Sequence, residues 1–434
     1  KEEDYMENNV VKSYKERLID ETIDKYLNVF GGIVIEGPKW CGKTWTSLKH
    51  AKSVSYLTDK NVRTLALNDP KLIFNDERPQ LIDEWQLAPC VWDAVRLECD
   101  LSGVSGNFIL TGSTTLQKED EDEVYHSGTG RFLLLKMYPM SLYESGDSNG
   151  SVSLMDMYDN KNISAKTDAI DLRYLAYLVI RGGWPANVRV TRELAGKIPE
   201  SYIDILLKKD IHERKDKRRS SEKMEIILKS LARNESTVAS MNTLLNDTSE
   251  FKTEDERVDS RGTLEDYLGA LEDLYLINNQ PAFSTNYRSS SRIGKSVKRH
   301  LVDPSLTCAV LNLNVEKLLY DLNTFGLIFE SLVYRDLCIY MNYLGGKVYH
   351  FRDNTSGDEI DEIVELSDGR YGAIEVKISY NEKAINEAKE GLLRFKETVS
   401  KKPEFLCIIV GVGGGAYVDS ETGIYIVPIN SLKP

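Results

Sequence analysis

The stretch GPKWCGKT at residues 37–44 constrains this chain more than any other. It follows GGIVIE at 31–36, a short continuous apolar run of the kind found in buried parallel strands. Gly37 and Gly42 let the backbone curl so that consecutive N–H groups point at phosphate oxygens. Pro38, Lys39, Trp40 and Cys41 form the body of that curl. Lys43 supplies a point charge for the β- and γ-phosphates, and the Thr44 hydroxyl is placed to ligate Mg²⁺. The helix that starts here, running past Trp45 to about Ala51, adds its N-terminal dipole. A strand before, a glycine loop and a helix after predict a phosphate-binding site. Within the loop the Cys41 side chain is expected to be free to vary and incidental.

Such a site needs a second strand that ends in carboxylates. RPQLIDEWQ at 78–86 provides it. Asp83 is expected to hold Mg²⁺ through water, and Glu84 to orient or deprotonate the attacking water. The plainer alternative is an acidic pair capping a strand end. NFILTGS at 107–113 reads as a third strand whose tip, Thr111 or Ser113, is positioned to sense the γ-phosphate. Arg131, opening a fourth strand within GRFLLLKMYPMSLYE, is a candidate arginine finger and equally a candidate partner for a surface acid. Strands alternating with helical stretches predict a parallel sheet with crossover helices.

Beyond this core the rhythm changes. A helix is expected over 13–30, ahead of the first strand. The polar stretch 145–165 reads as a boundary loop, and 168–235 as mostly helical with an interruption at RGGWPA (181–186). Two further helices, the longer at 263–277, precede two strands around a basic loop. That is a winged-helix outline. The last segment, from 322 on, reads as a separate α/β domain with strands KVYHFR, EIDEIVEL, GRYGAIEVKIS, FLCIIVGV and GIYIVPI and a helix over 382–398. There, Glu375 and Lys377 share one face of a strand, and Asp361 interrupts an otherwise apolar neighbour. Two carboxylates can hold Mg²⁺ while a lysine steadies a hydroxide, and Glu330 on the preceding helix would add a third. A salt-bridged cross-strand pair is the alternative.

The residues together resemble a known family. GPKWCGKT, LIDEWQ, ILTGS, GRF…YPMSLYE and RGGWPA, in that order, look like the prokaryotic AAA+ ATPases that end in a restriction-endonuclease-like domain. KSVKRHLVDPSL, GLIFESLVYRDL and YHFRDNTSGDEIDEIVEL…GRYGAIEVK are similar to that family's C-terminal half. The resemblance implies an α/β architecture of four parts: a P-loop AAA+ parallel-sheet core (1–155), a helical lid (156–235), a winged-helix module (236–310) and a restriction-endonuclease-like domain of the PD-(D/E)XK type (311–434). It implies ATP and Mg²⁺ as cofactors. Lys43 and Thr44 match the nucleotide loop, and Asp83 and Glu84 the acidic strand end. Glu330, Asp361, Glu375 and Lys377 match the nuclease signature, with Glu330, Asp361 and Glu375 as metal ligands and Glu375 and Lys377 catalytic.

Charge and composition limit the partners. The chain of 434 residues is long enough for three or four domains and carries a net charge of −13. It is therefore not a wholly basic nucleic-acid binder. Two local stretches are basic: 288–299, with five basic residues and no acid, and 208–223, with eight basic and four acidic residues. Both could equally be solvated surface. The helix at 263–277 is acidic and would be repelled by a phosphate backbone, so DNA or RNA would have to be met by 288–299 and the C-terminal domain. No apolar run approaches the roughly 18 residues that span a membrane. The polar start KEEDYMENNV is not expected to be a signal peptide. Six scattered cysteines and five histidines without zinc spacing predict reduced thiols in a cytoplasmic protein.

The sequence thus leads to a Mg²⁺-dependent ATPase coupled to a nuclease-like domain that binds or cuts nucleic acid. A regulatory switch with an inert nuclease fold used for protein docking is the first alternative. A nucleic-acid-binding module merely stabilised by nucleotide is the second. Oligomers and monomer both remain open.

Overall fold

The computed structural model describes residues 14–114, 128–210, 219–249, 257–258, 260–286, 297–353 and 357–434. The chain divides into two compact units, one of residues 1–139 with 273–275, the other of 140–272 with 276–434.

In the first unit, helix α1 (Leu18–Leu27) precedes β1 (Gly32–Glu36), α2 (Lys43–His50), β2 (Ser53–Tyr56), α3 (Lys60–Asn68), β3 (Gln80–Asp83), α4 (Cys90–Ser102), β4 (Phe108–Gly112) and β5 (Phe132–Lys136). The five strands form one sheet in the order β2-β3-β4-β1-β5. Every pairing in it is parallel. Continuous apolar strands suit a sheet buried on both faces, because successive side chains point to opposite sides. Ile33 and Ile35 accordingly pack with Ile23, Leu81, Ile109 and Met137. Val34 instead joins Ile82, Leu110, Trp85, Trp92 and Val95.

This order has a consequence for chemistry. The loop strand β1 and the acidic strand β3 are not neighbours. Strand β4 lies between them, so its tip stands between the glycine loop and the Asp83 carboxylate.

The second unit opens with α5 (Leu142–Ser145), β6 (Val152–Ser153), α6 (Leu154–Tyr158) and β7 (Ser164–Lys166). Helices α7 (Leu172–Arg181), α8 (Lys197–Ile205), α9 (Ser221–Arg233), α10 (Met241–Ser249) and α11 (Arg261–Asp273) follow, then the antiparallel pair β8 (Ile277–Gln280) and β9 (Lys298–Leu301). Helices α12 (Pro304–Val310), α13 (Val315–Tyr320) and α14 (Leu322–Leu344) lead into β10 (Lys347–Arg352), β11 (Glu359–Glu365), β12 (Tyr371–Lys377), α15 (Glu382–Thr398), β13 (Phe405–Val410), β14 (Gly415–Val418), β15 (Tyr425–Pro428) and β16 (Leu432–Lys433).

Seven strands make the second sheet, in the order β10-β11-β12-β13-β15-β14-β7. Helix α15 covers it through Ile385, Leu392 and Phe395, which pack on Tyr371, Ala373, Leu406 and Ile408. The stretch 145–165 is therefore not a mere boundary loop. Strand β7 pairs antiparallel with β14 and closes the sheet edge, and β6 pairs parallel with β16. Short strands such as SAK carry too little pattern to be read from sequence; the edge of a distant sheet recruits them.

The interruption at RGGWPA is a packing device. Trp184 is fully buried and its indole N–H donates to Ser305 Oγ at 2.9 Å. A Cβ on Gly183 would lie 2.1 Å from the Met140 carbonyl oxygen, so only glycine fits there. All six cysteines are free. Among the described residues no helix is long and apolar enough to cross a membrane.

Candidate functional sites

The first candidate site lies where β1 runs into α2. Trp40 (φ 67°) and Gly42 (φ 107°) both adopt the left-handed region, which curls the loop. Gly42 then caps α2, and Lys43 is its first residue. The Lys43 side chain is buried, and its ammonium donates to the Gly37 and Pro38 carbonyl oxygens at 2.8 and 2.9 Å. The cation thus sits inside the curl, where an anion cradled by the loop would meet it. Trp40 and Trp45, by contrast, are about half exposed beside the loop.

Asp83 ends β3 and is buried. The hydroxyls of Thr44 and Thr111 both donate to its Oδ1, at 2.8 and 2.7 Å. Burial raises the Asp83 carboxyl above its ordinary range, and those two hydroxyls pull against it. Glu84 follows in the left-handed region (φ 56°), which turns its side chain away from the strand direction. The Thr111 hydroxyl accepts from the Glu84 amide at 3.1 Å, and the Ser113 hydroxyl donates to Glu84 Oε2 at 2.8 Å. Gln86 also donates to that oxygen. The structure therefore brings together Lys43, Thr44, Asp83, Glu84, Thr111 and Ser113. A hydroxyl and a carboxylate in contact make a hard-oxygen pair of the kind Mg²⁺ takes, so these residues fit the ion.

Of the two readings of Arg131 the structure favours the surface-acid partner, and the expectation for Cys41 is corrected. Arg131 immediately precedes β5, whose start pairs with the start of β1, and the glycine loop leaves the other end of β1. It forms an ion pair with Asp100 and does not approach its own chain's loop. A parallel register with β1 puts its residue at the wrong end of the sheet. Cys41 is not free to vary either. It is fully buried among Ile23, Ile33, Ile35 and Met137, so the loop needs a small apolar side chain there.

One residue of this site was not read from the sequence. Arg17, just ahead of α1, is buried; its guanidinium donates to the Cys41 carbonyl oxygen at 3.0 Å and to the Tyr138 carbonyl oxygen at 2.8 Å. No motif marks it, because its partners are backbone atoms.

The second candidate site lies in the other unit. Asp361 on β11 is one position beyond the last β11–β12 pair, Glu362 with Ile374, which sets it across from Glu375. Asp361 Oδ2 accepts from the Val376 amide at 2.8 Å. Lys377 donates to Glu375 Oε2 at 2.8 Å. Glu330 on α14 is buried, and its Oε1 is held at 2.6 Å by Lys298, whose side chain is 1% exposed. Burial pushes the Glu330 and Glu375 carboxyls upward, and the Asp361 charge adds to both. Burial disfavours the Lys298 and Lys377 ammonium groups, but the carboxylates around each outweigh it and hold both charged.

Sequence reasoning named Glu330, Asp361, Glu375 and Lys377 here, and it missed Lys298, Gln280 and Glu362. Gln280 Nε2 donates to Glu362 Oε2 at 2.6 Å and to the Asp361 carbonyl oxygen at 3.2 Å. Glu362 was legible only as a second acid in an apolar strand. Among the described residues no three His, Cys, Asp or Glu side chains are grouped to hold a metal ion. The expected metal ligands are instead engaged by ammonium and amide donors.

Only parts of the two basic stretches fall among the described residues. Of 288–299, residues 288–296 lie outside the described residues. Lys298 turns inward to Glu330, and Arg299 donates to the Ala239 carbonyl oxygen. Residues 211–218 of the other stretch also lie outside the described residues, while Arg219 pairs with Asp266.

Comparison with known proteins bears on the segment that carries the first site. Residues 30–146 match the AAA domain family. Residues 172–317 match one domain of unknown function (DUF8612), and 325–432 another (DUF4143). Among solved structures the chain is similar to the Walker-type ATPase PABY2304 of Pyrococcus abyssi, at 12% identity, covering 69% of this chain and 97% of that one, with a TM-score of 0.43. It is similar to AMPPCP-bound DnaA from Aquifex aeolicus at 12% identity, 58% and 86% coverage and a TM-score of 0.28. It is also similar to the Aeropyrum pernix ORC1 protein in complex with DNA, at 12% identity, 68% and 92% coverage and a TM-score of 0.27. No curated protein matches. The AAA match and the loop geometry make residues 30–146 a P-loop ATPase domain, built to bind nucleotide.

Proposed function

We propose that this protein is a Mg²⁺-dependent ATPase of the AAA+ kind whose turnover drives a C-terminal domain of restriction-endonuclease-like form. The observation that carries the reading is the contact of Thr44 with Asp83 at the mouth of the glycine loop, with Thr111 from the intervening strand on the same carboxylate oxygen. Loop amides and the Lys43 ammonium bind the phosphates. Thr44 and Asp83 would hold Mg²⁺, which supplies positive charge against the phosphate oxygens. Glu84 orients a water and takes its proton, and Ser113 and Gln86 fix where that carboxylate points. Thr111 or Ser113, at the tip of β4, would register the terminal phosphate.

The three helices α9, α10 and α11 followed by the β8–β9 pair support a winged-helix module in the second unit. DNA or RNA contact through 288–299 rests on local charge. For the nuclease-like pocket we derive no cutting step, because its carboxylates are already engaged. The Lys298–Glu330 pair favours the second reading, a nucleotide-dependent switch whose nuclease-like domain docks partners.

The test is direct. Wild type should bind a fluorescent ATP analogue and release phosphate only with Mg²⁺, whereas Lys43→Ala should do neither. ATP binding left intact in Lys43→Ala would sink the assignment of the loop.

A further inference from the structure

The chain has five tryptophans, and burial divides them. Trp85, Trp92 and Trp184 are packed inside, at 5%, 7% and 0% exposure. The other two, Trp40 at 53% and Trp45 at 45%, both lie in the loop–helix stretch that forms the phosphate cradle. A tryptophan ring is a large apolar surface that is mostly buried in folded proteins, so two left open side by side in sequence mark a contact surface. Trp40 is moreover held in the left-handed region (φ 67°), which a bulky side chain rarely adopts and which concentrates at ligand-binding loops.

The frame behind Trp45 is fixed. Trp45 is the third residue of α2, after Lys43 and Thr44. Thr44 turns to Asp83, and Thr46 and Ser47 are buried. At about 100° per residue, those positions leave Trp45 on the outward side of the first turn. The polar side chains near it on α2 are engaged within the protein. Thr46 Oγ1 meets the Tyr14 hydroxyl at 2.9 Å, Lys49 donates to Asp20 at 3.1 Å, and His50 lies 2.9 Å from Asp20. What α2 presents outward beside the cradle is therefore a ring face.

Resting on the reading of the loop as a nucleotide site, we infer that Trp45 stacks on the base of the bound nucleoside triphosphate. A triphosphate seated on the loop amides leaves its nucleoside outside the cradle, and Trp45 adjoins the cradle one residue past Thr44. Trp40 belongs to the curl that receives the phosphates, whereas Trp45 rides on a helix, whose regular backbone holds a ring in place better than a loop does. Stacking reads the face of a base and not its edge, so it is tolerant of which base is present. The substrate class is thus purine nucleoside triphosphates, with little choice between ATP and GTP.

The experiment is isothermal titration of the full-length chain in Mg²⁺ with ATP, GTP and inorganic tripolyphosphate, which has the phosphates and no base. Wild type should bind ATP and GTP within a few-fold of each other, and both more tightly than tripolyphosphate. Trp45→Ala should weaken ATP and GTP by about tenfold or more and leave tripolyphosphate unchanged. Trp45→Phe, which keeps a ring, should recover most of that loss. Trp45→Leu, apolar but without a ring face, is read as the alanine variant is, should the latter not melt cooperatively. Weakening of all three ligands alike, or of none, would overturn the stacking role and leave the loop assignment standing. A strong preference for ATP over GTP would show that the base is read by its edge and would overturn it too. So would a base contribution lost in Trp40→Ala and kept in Trp45→Ala, or self-association that Trp45→Ala abolishes while ATP affinity stays unchanged, which would give the ring to a second copy of the chain. Wild type that binds neither ATP nor tripolyphosphate would remove the nucleotide-site reading itself, and the inference with it.

Discussion

Arg17 reaches the carbonyl oxygen of Cys41 at 3.0 Å, so a residue ahead of the matched AAA segment holds the nucleotide loop by its backbone. Its other terminal nitrogen spans to Tyr138, just past β5. A planar guanidinium can bridge two carbonyls in this way and a lysine ammonium fits less well. Arg17→Met removes two buried charge-assisted hydrogen bonds, each worth about 1.5–3 kcal/mol. ATP affinity should fall at least about tenfold, since about 1.4 kcal/mol is a factor of ten. Turnover at saturating ATP should change far less. Isothermal titration beside steady-state kinetics separates the two.

Glu84 has a different signature. Glu84→Gln keeps the shape and the partners Ser113 and Gln86 but cannot take a proton. Nucleotide binding should persist, while phosphate release should drop by about 10²–10⁴. A single-turnover assay on bound ATP reads this directly.

Gly37 is set by space. A Cβ there would lie 2.2 Å from the Met137 carbonyl oxygen. Backbone cannot give way as a flexible side chain does, so Gly37→Ala should displace the loop from β5. The expected outcome is loss of ATP binding with circular dichroism close to wild type.

Asp20 gives a pH dependence. Burial opposes its ionisation, but hydrogen bonds from His50, the Arg17 amide, Lys49 and Tyr14 outweigh that and hold its carboxyl below the ordinary 3.8. A depressed carboxyl stabilises the fold fully above its unfolded value and loses that contribution as pH falls through the folded one. The gap in melting temperature between wild type and Asp20→Asn should therefore be widest near neutral pH and should shrink below about pH 4. A gap that widens on acidification would contradict this assignment.

Trp184 tests the second unit. Truncating a fully buried tryptophan typically costs about 3–5 kcal/mol, and here the indole also loses its bond to Ser305. Trp184→Ala should lower the melting temperature without weakening ATP binding at temperatures where the variant remains folded. Ser305→Ala should cost less, because the indole stays in place and only two hydrogen bonds are removed, the one from Trp184 and the one Ser305 Oγ donates to Asp303 Oδ1 at 2.6 Å.

The loop was legible in the sequence because it is local. Gly37, Gly42, Lys43 and Thr44 act within one strand–turn–helix, so spacing alone carries their geometry. The acids ending β3 and the hydroxyls ending β4 were legible for a different reason: once a parallel sheet is read, its strand ends come to one edge. Arg131 was left between two roles because its partner Asp100 lies on α4, outside any local window around Arg131. Cys41 was misjudged because burial depends on what packs over the loop.

Composition, charge and periodicity by themselves determined an α/β chain with one phosphate loop and a carboxylate-bearing α/β tail. Tertiary structure decided what those carboxylates touch. Strand β7 closes a sheet edge on β14, some 250 residues further along the chain. Lys298, read from sequence as a surface charge for nucleic acid, is buried against Glu330. Both outcomes turn on pairings between distant segments. Such pairings are selected by the burial and charge balance of the whole unit, and no local window of residues encodes them.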